Sequence, residues 1–450
     1  MNTRTKIFLT LFITYAFFTN AYLTTNDASR FSLTAAIVEE HTLQIDNYLD
    51  RVISVWWWPK DFATYKGHIY SDKAPLGSFL AVPIYIIARV FTDDYNIIAY
   101  FVSLFTSGVL SVVTALLLYD MGSYFTGKKD IRVALALAYG LGTPAFFYGT
   151  IFFSHTITAF FAFASFYLLF EVKHGAKGTK NLALAGLSAG LAVSSDYYAG
   201  VIAVALFFYA LSMSKTKTYV FLLSFLGIIS LLLAYHWVVF GNPFIIPYLY
   251  SDLYGVFHAK GFYGVGLPDS LFFQNLRRAL FAKEAFFYTA PLTILALAQM
   301  VNFYKQYREE SIFIILALGG LIYVVGGVGP TGGFGTRFLV PAIPFLYLPL
   351  YTVNYNDLAS KTMTYLVASF SLIINFLGAA ESGLPNIAYP PYIQATYGTH
   401  NILGEFLLRR GINLHYYTVL PLLFFYILLW RCDIRDAFKS FKRELGNRTI

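Results

Sequence analysis

The chain has 450 residues, 57% of them hydrophobic and only 12% charged, with a mean hydropathy of +0.59. Soluble domains carry roughly 25% charged residues, so this composition excludes a soluble enzyme and points to a polytopic membrane protein. The net charge of +8 is spread over many short loops and forms no basic stripe, which argues against a nucleic-acid partner, and the single cysteine, Cys432, excludes an intrachain disulfide.

Apolar runs long enough to cross the hydrocarbon core as helices recur from end to end, and no alternating pattern suits a β-barrel. The first follows only Arg4 and Lys6, with no A-x-A-like cleavage site behind it, and is expected to be a retained helix starting in the cytoplasm. The run at residues 76–90 is short and carries Pro83 and Arg89, so it is expected to lie beside the membrane. The remaining runs predict about twelve spans, near residues 6–24, 97–119, 131–147, 153–170, 181–194, 197–213, 218–240, 286–302, 311–328, 338–353, 362–379 and 415–430. The fold class is thus an all-α integral membrane protein, expected as a single polytopic domain over 1–450.

Loop charge supports this parity. The loops then placed inside hold Lys128, Lys129 and Arg132; Lys173, Lys177 and Lys180; Lys215 and Lys217; Lys305 and Arg308; Lys361; and a basic tail over 431–450 with Arg431, Arg435, Lys439, Lys442 and Arg443. Both termini are expected to be cytoplasmic. Three outer segments, 25–96, 241–285 and 380–414, exceed simple connectors and are rich in aromatics, so function is expected on the outer face.

Within the first outer loop, TNDASRFSLTAAIVEE reads as an interfacial helix opened by Asp27, with the Trp56 to Trp58 run behind it. Asp27 suits an N-cap and equally a general base, a carboxylate at the membrane face with Arg30 one turn away to orient it. In YSDKAPLG, Tyr70 to Gly77, Lys73 precedes the Pro75 that would start the juxtamembrane helix. A cation beside a helix N-terminus is a natural phosphate site, though the same residue would also serve as a snorkelling lysine.

Further outer cations break the positive-inside bias: Arg277, Arg278 and Lys283, then Arg337 at the end of the glycine-rich GPTGGFGTR. Arg337 abuts an apolar run, where it either snorkels or meets an anion. His155 and Asp196 lie at outer helix ends and are weaker candidates with a ready structural role. Metalloprotease, zinc, dinucleotide and Walker motifs are missing, the glycine-rich GVGLPD is no phosphate loop, and the NRT at Asn447 to Thr449 falls in the tail.

With these residues in hand, the chain resembles the polytopic GT-C glycosyltransferases, including protein O-mannosyltransferases and the aminoarabinose transferases of lipid A. The resemblance rests on NDASRF after the first span, then YSDKAPL, and extends to GLGTPAFFYGTIFFSH, GLAVSSDYY, FGNPFIIPY and GGFGTRFLVPAIPF, as in a prokaryotic branch of that group. It implies a GT-C fold, a prokaryotic plasma membrane, a polyprenyl-phosphate sugar donor (dolichyl or undecaprenyl) and a glycan, lipid or protein acceptor. By position, it implies Asp27 as base, Lys73 on the lipid phosphate and Arg337 as a further phosphate contact. Many of those relatives carry an acidic pair where this chain has Asp27 followed by Ala28, so both metal-free and divalent-metal-assisted chemistry stay open. The residues alone also admit a flippase or transporter of lipid-linked sugars, or a non-catalytic scaffold. The transporter reading expects ionisable residues near the bilayer midplane and paired broken helices, and no internal repeat is evident.

Overall fold

The computed structural model describes the chain except residues 22, 53–60, 176–177, 214–216, 253–254, 256–269, 284, 330–333, 381–400, 402, 404–405, 408–409, 413–414 and 447–450. The tryptophan run, GVGLPD, part of GPTGG, most of 380–414 and the NRT therefore lie outside the described residues.

Helix α1, Thr3–Phe18, is capped by Asn2, whose side chain accepts from the Thr5 amide. It stops at Phe18, short of the residue 24 expected, and the chain then enters the segment expected as the first outer loop. That loop holds α2 (Thr25–Glu39), α3 (Leu49–Val52), the hairpin strands β1 (Ala63–Tyr65) and β2 (His68–Tyr70), and α4 (Leu76–Arg89). The hairpin turns on Lys66 and Gly67, both at positive φ, which matches the strand twist in a two-residue turn.

The spans follow. Helices α5 (Tyr95–Ser103) and α6 (Val109–Phe125) form one rod through a π turn at Leu104–Gly108. After α7 (Lys129–Leu141), the Gly142-Thr143-Pro144 break leads into the short α8 (Ala145–Gly149), where one helix over 131–147 was expected. Then come α9 (Ser154–Lys173), α10 (Gly178–Ser195), α11 (Gly200–Met213) and α12 (Thr218–Phe240), close to their expected bounds. Helices α13 (Phe272–Phe281), α14 (Phe286–Thr289), α15 (Leu292–Gln306) and α16 (Arg308–Val328) complete the next group.

The span expected at 338–353 is not one helix. Pro341, Pro344 and Pro349 divide it into a 3-10 turn at Arg337–Ala342, helix α17 at Ile343–Leu346 and a second 3-10 turn at Pro349–Thr352. Its residues from Leu339 to Tyr351 are buried, the condition under which irregular backbone survives at membrane depth. Helices α18 (Leu358–Ala380) and α19 (Leu420–Gly446) close the chain. Six helices among the described residues, or seven counting one bent pair, are long and apolar enough to cross a bilayer by themselves. The expectation of twelve full spans gives way to a mixture of full spans and shorter or broken helices, because glycine and proline interrupt the apolar runs.

Two cores result. The larger joins α1, α6 to α11 and α14 to α17; in it Tyr15 donates to the Gly140 carbonyl at 2.7 Å, and a side chain at Gly149 would strike the Tyr15 ring. The smaller lies where the segment between α1 and α5 packs on α5 and the end of α12, joining Phe31, Tyr48 and Tyr85 to Ile98 and Phe240. Glu39 ties its edge, accepting from Tyr48, Tyr85 and Tyr95 and pairing with Arg89 at 2.9 Å. This fixes one end of α2, so the other end, with Asp27 and Arg30, is held against α4 and α9.

Helices α10 and α12 meet across a Gly-x-x-x-Gly pair. A Cβ on Gly186 would lie 2.1 Å from the Phe221 carbonyl oxygen, and one on Gly190 would lie 2.6 Å from Ile228 Cβ. Gly186→Val should push the two helices apart and destabilise the protein by about 1–3 kcal/mol. The check is a thermal melt in detergent, where the variant should unfold several degrees below the wild type.

Candidate active site

Several elements meet at the N-terminal end of α2. Helix α2 brings Asn26, Asp27, Ser29 and Arg30; the strand β2 runs directly into Ser71, Asp72 and Lys73; α9 begins with Ser154 and His155; and Asp196 fills the turn between α10 and α11. All but the half-buried Asn26 have less than one-tenth of their surface exposed. The packing of α2 on α4 uses small residues: Thr34 and Ser78 both donate to backbone carbonyls across the contact, at 3.1 and 2.9 Å.

Asp27 is not the N-cap. Thr24 holds that position, and Asp27 lies in the first turn, where its Oδ1 accepts from the Thr24 hydroxyl at 2.6 Å. Burial pushes its carboxyl up to about 6, against the pull of the Thr24 hydroxyl and the amides of the helix start. Arg30 does not orient Asp27. Its Nη1 donates to Asn26 Oδ1 at 3.0 Å and its Nη2 to Ser154 Oγ at 2.9 Å, while Ser154 in turn donates to Asp196 at 2.7 Å. The physical reason is competition: the Asn26 and Ser154 oxygens take the guanidinium, and Thr24 takes the carboxylate.

Lys73 is buried between two carboxylates. Its Nζ lies 2.6 Å from Asp61 Oδ2 and 2.9 Å from Asp72, and it sits over the Tyr248 ring at 5.3 Å. Burial and the neighbouring Asp61 charge push the Asp72 carboxyl up to about 7, while at Asp61 burial, the largest single effect, is outweighed by Lys73, a hydrogen bond with Asp72 and Arg337 together, which hold that carboxyl below its usual range. Ser29 steadies this group, 3.1 Å from the Ser71 hydroxyl and 3.5 Å from Asp72.

Asp196 is the hub. Burial raises its carboxyl, and Arg30, the Ser154 hydroxyl, Arg337 and Lys73 all pull it back. Cations from α2, the hairpin exit and the 3-10 turn at Arg337–Ala342 thus all lie within electrostatic reach of one buried carboxylate. Among the described residues, the Nε atoms of Arg30 and Arg337 are buried without a hydrogen-bond acceptor. His155 Nδ1 lies 3.1 Å from the Tyr198 hydroxyl and 3.9 Å from Asp196.

The structure therefore brings together Arg30, Lys73, His155, Asp196 and Arg337. It leaves Tyr70 in the smaller core, its ring against Phe240 and its hydroxyl 3.4 Å from Gln44. Arg277 and Arg278 are exposed on α13, in no ion pair among the described residues. Asp61 and Ser154 were not singled out from sequence. Asp61 stands outside the motif, twelve residues before Lys73, whereas Ser154 adjoins His155 and could have been suspected from the helix start. No group of three His, Cys, Asp or Glu side chains among the described residues is placed to hold a metal ion.

The chain's architecture is similar to that of solved structures. It superposes on the archaeal oligosaccharyltransferase AglB from Archaeoglobus fulgidus, in complex with an inhibitory peptide and a dolichol-phosphate, with a TM-score of 0.50. Identity is 14%, over 91% of this chain and 59% of the other. The fold is GT-C-like. Two further structures of the Archaeoglobus fulgidus oligosaccharyltransferase were also found, the apo form and one tethered with an acceptor peptide containing the NVT sequon. They give TM-scores of 0.48 and 0.49 at 13% and 14% identity, over 92% and 85% of this chain and 60% and 56% of theirs. The chain spans about three-fifths of the length of the AglB structure it matches, and at this identity the likeness is one of fold. No protein-family model and no curated protein sequence matches it.

The burial of Asp27 carries a stability signature. Its folded carboxyl titrates about two units above the unfolded value of 3.8, so the fold favours the protonated form. Stability should fall as pH rises from about 4 through about 6, with a full cost on the order of 3 kcal/mol above that window. Asp27→Asn keeps the oxygen that accepts from Thr24 and escapes this cost. Its melting temperature relative to wild type should climb across the same window and then level off, as measured by melts at stepped pH.

Proposed function

We propose that the protein is an inverting glycosyltransferase that moves a sugar from a polyprenyl phosphate to an acceptor hydroxyl at the outer face of a prokaryotic plasma membrane. The observation that carries this reading is that Arg30, Lys73 and Arg337 all act on the buried Asp196, with the Nε–H groups of the two arginines left without an acceptor among the described residues. Buried donors without acceptors are costly, and an anion carrying several oxygens would satisfy them. The GT-C-like fold supports the same reading, since the AglB structure holds a dolichol-phosphate.

In this mechanism the acceptor oxygen attacks the anomeric carbon from the face opposite the phosphate. The bond between carbon and the phosphate oxygen breaks as the new glycosidic bond forms, and the configuration inverts. Asp27 takes the acceptor's proton. Held near 6, its carboxyl is ionised at neutral pH yet more basic than an ordinary aspartate, the balance a general base needs. The lipid phosphate leaves with the bonding electron pair, and Arg30 and Arg337 stabilise its charge in a site of low dielectric. Ser154 and Asn26 hold Arg30 in register, and Asp196 fixes Ser154. His155 and Tyr198 line the same wall beside Asp196.

Mass spectrometry of polyprenyl-phosphate sugars in host membranes tests this directly. Membranes supplied with wild-type protein should lose a sugar-loaded lipid and gain a glycosylated product. Asp27→Asn should lower that rate by about 10²–10⁴-fold without loss of the folded protein. Arg337→Ala should also slow transfer, by 100-fold or more if it stabilises the departing charge. No consumption by wild type in membranes shown to contain the loaded lipid would refute the reading.

A further inference from the structure

Lys73 presents a difficulty for any reading that gives it a phosphate: its ammonium is already occupied. Two carboxylates hold it, and they differ in how they are anchored. Asp72 is the lysine's own neighbour in the chain, and its Oδ1 lies 3.5 Å from the Ser29 hydroxyl. Asp61 comes from the other side of the hairpin, two residues before β1. Its Oδ2 reaches Lys73 at 2.6 Å and Asn26 at a long 3.4 Å, and its Oδ1 is buried without a hydrogen bond among the described residues. The strand it leads into is short and is bound to the rest of the protein through the Ala63 bridge to Ser251 and the Asp252 amide on the Phe62 carbonyl. Asp61 is therefore the carboxylate that reaches Lys73 from a separate segment of the chain, with one oxygen free of hydrogen bonds among the described residues.

A carboxylate and a phosphate monoanion offer a buried ammonium the same thing, a charged oxygen at about 2.7–2.9 Å. We propose that Asp61 occupies the phosphate seat on Lys73 in the donor-free protein and is displaced from it when the donor's phosphate binds. The inference rests on the reading that Lys73 belongs to the donor phosphate site. It assigns Asp61 a role in binding: it keeps Lys73 charged and positioned while the site is empty, and it sets a threshold that only an anion can cross. Uncharged lipids and the alcohol left after phosphate loss have no group to exchange for the carboxylate. One anion replaces another, so the ammonium itself stays neutralised throughout.

The test is the binding of farnesyl phosphate to the purified full-length chain, with farnesol and inorganic phosphate as paired probes. Asp61→Asn removes the competitor and should bind farnesyl phosphate at least fivefold more tightly than wild type, with farnesol affinity unmoved. Asp72→Asn leaves Asp61 seated, so its gain should fall short of that of Asp61→Asn. Equal gains in the two variants, or no gain in Asp61→Asn, would overturn the displacement. A tighter farnesol complex in Asp61→Asn would do the same, since it would mark a general loosening of the site. A matching gain for inorganic phosphate would place the exchange at the phosphate itself, and a gain confined to the lipid would show that the prenyl chain brings the phosphate to the seat; both accord with displacement.

Lys73→Ala separates this inference from the reading beneath it. If Lys73→Ala binds farnesyl phosphate as wild type does, the assignment of Lys73 to the phosphate site fails. If it loses binding while Asp61→Asn gains none, only the displacement fails. Should Asp61→Asn not fold, Asp61→Glu keeps the charge but lengthens the side chain beyond the observed seat; tighter binding than wild type would support the proposal, and equal or weaker binding would overturn it.

Discussion

Buried charge must be neutralised locally, and that constraint shapes the end of this protein where α2, the hairpin and α9 meet. Arg30, Lys73, Asp27, Asp61, Asp72 and Asp196 all have less than one-tenth of their surface exposed, and taking such groups out of water costs several kcal/mol each unless partners replace the solvent. The partners come from distant parts of the chain: Asp61 and Asp72 flank Lys73 from either side of the hairpin, while Ser154 from α9 links Arg30 to Asp196 between α10 and α11. The smaller core and the Glu39 clamp exist in the service of this arrangement, since they hold α2 where its first turns can complete the group.

The neutralisation is uneven. Lys73 has two carboxylates at hydrogen-bond distance, whereas Arg30 is held by neutral oxygens of Asn26 and Ser154, and Arg337 stacks near Phe338 with its Nε unsatisfied among the described residues. A protein selecting only for stability would pair such groups or replace them with apolar ones. Asp27 shows the same tension, a carboxylate kept in a setting that disfavours its charge. Strain of this kind concentrated at one place is what the proposed site for an anion and a proton would require. A GT-C-like fold supplies a scaffold on which that chemistry fits.

Much of this was legible in the sequence, and the rest failed for identifiable reasons. Long apolar runs without interruption, such as Thr218–Phe240, were placed correctly because length and hydropathy decide them. The run at 338–353 was misread because burial, not a continuous helix, satisfies its backbone, and its three prolines were discounted against its hydropathy. Arg30, Lys73, His155, Asp196 and Arg337, which the structure places near one another, stood out in the sequence because charge next to an apolar run is conspicuous. Asp61 was missed because only the Lys66–Gly67 hairpin folds it back onto Lys73, and the Arg30 partner was misassigned because helical spacing cannot see Ser154 across the bundle.

The central claim is that the cations around Asp196 receive the phosphate of a lipid-linked sugar, and locating that phosphate tests it most directly. An experimental structure of the full-length protein in lipid nanodiscs with bound undecaprenyl phosphate should place the phosphorus within about 4 Å of the Arg30 and Arg337 guanidinium groups, at hydrogen-bond reach. A phosphate held elsewhere, with these arginines still unsatisfied, would contradict the account.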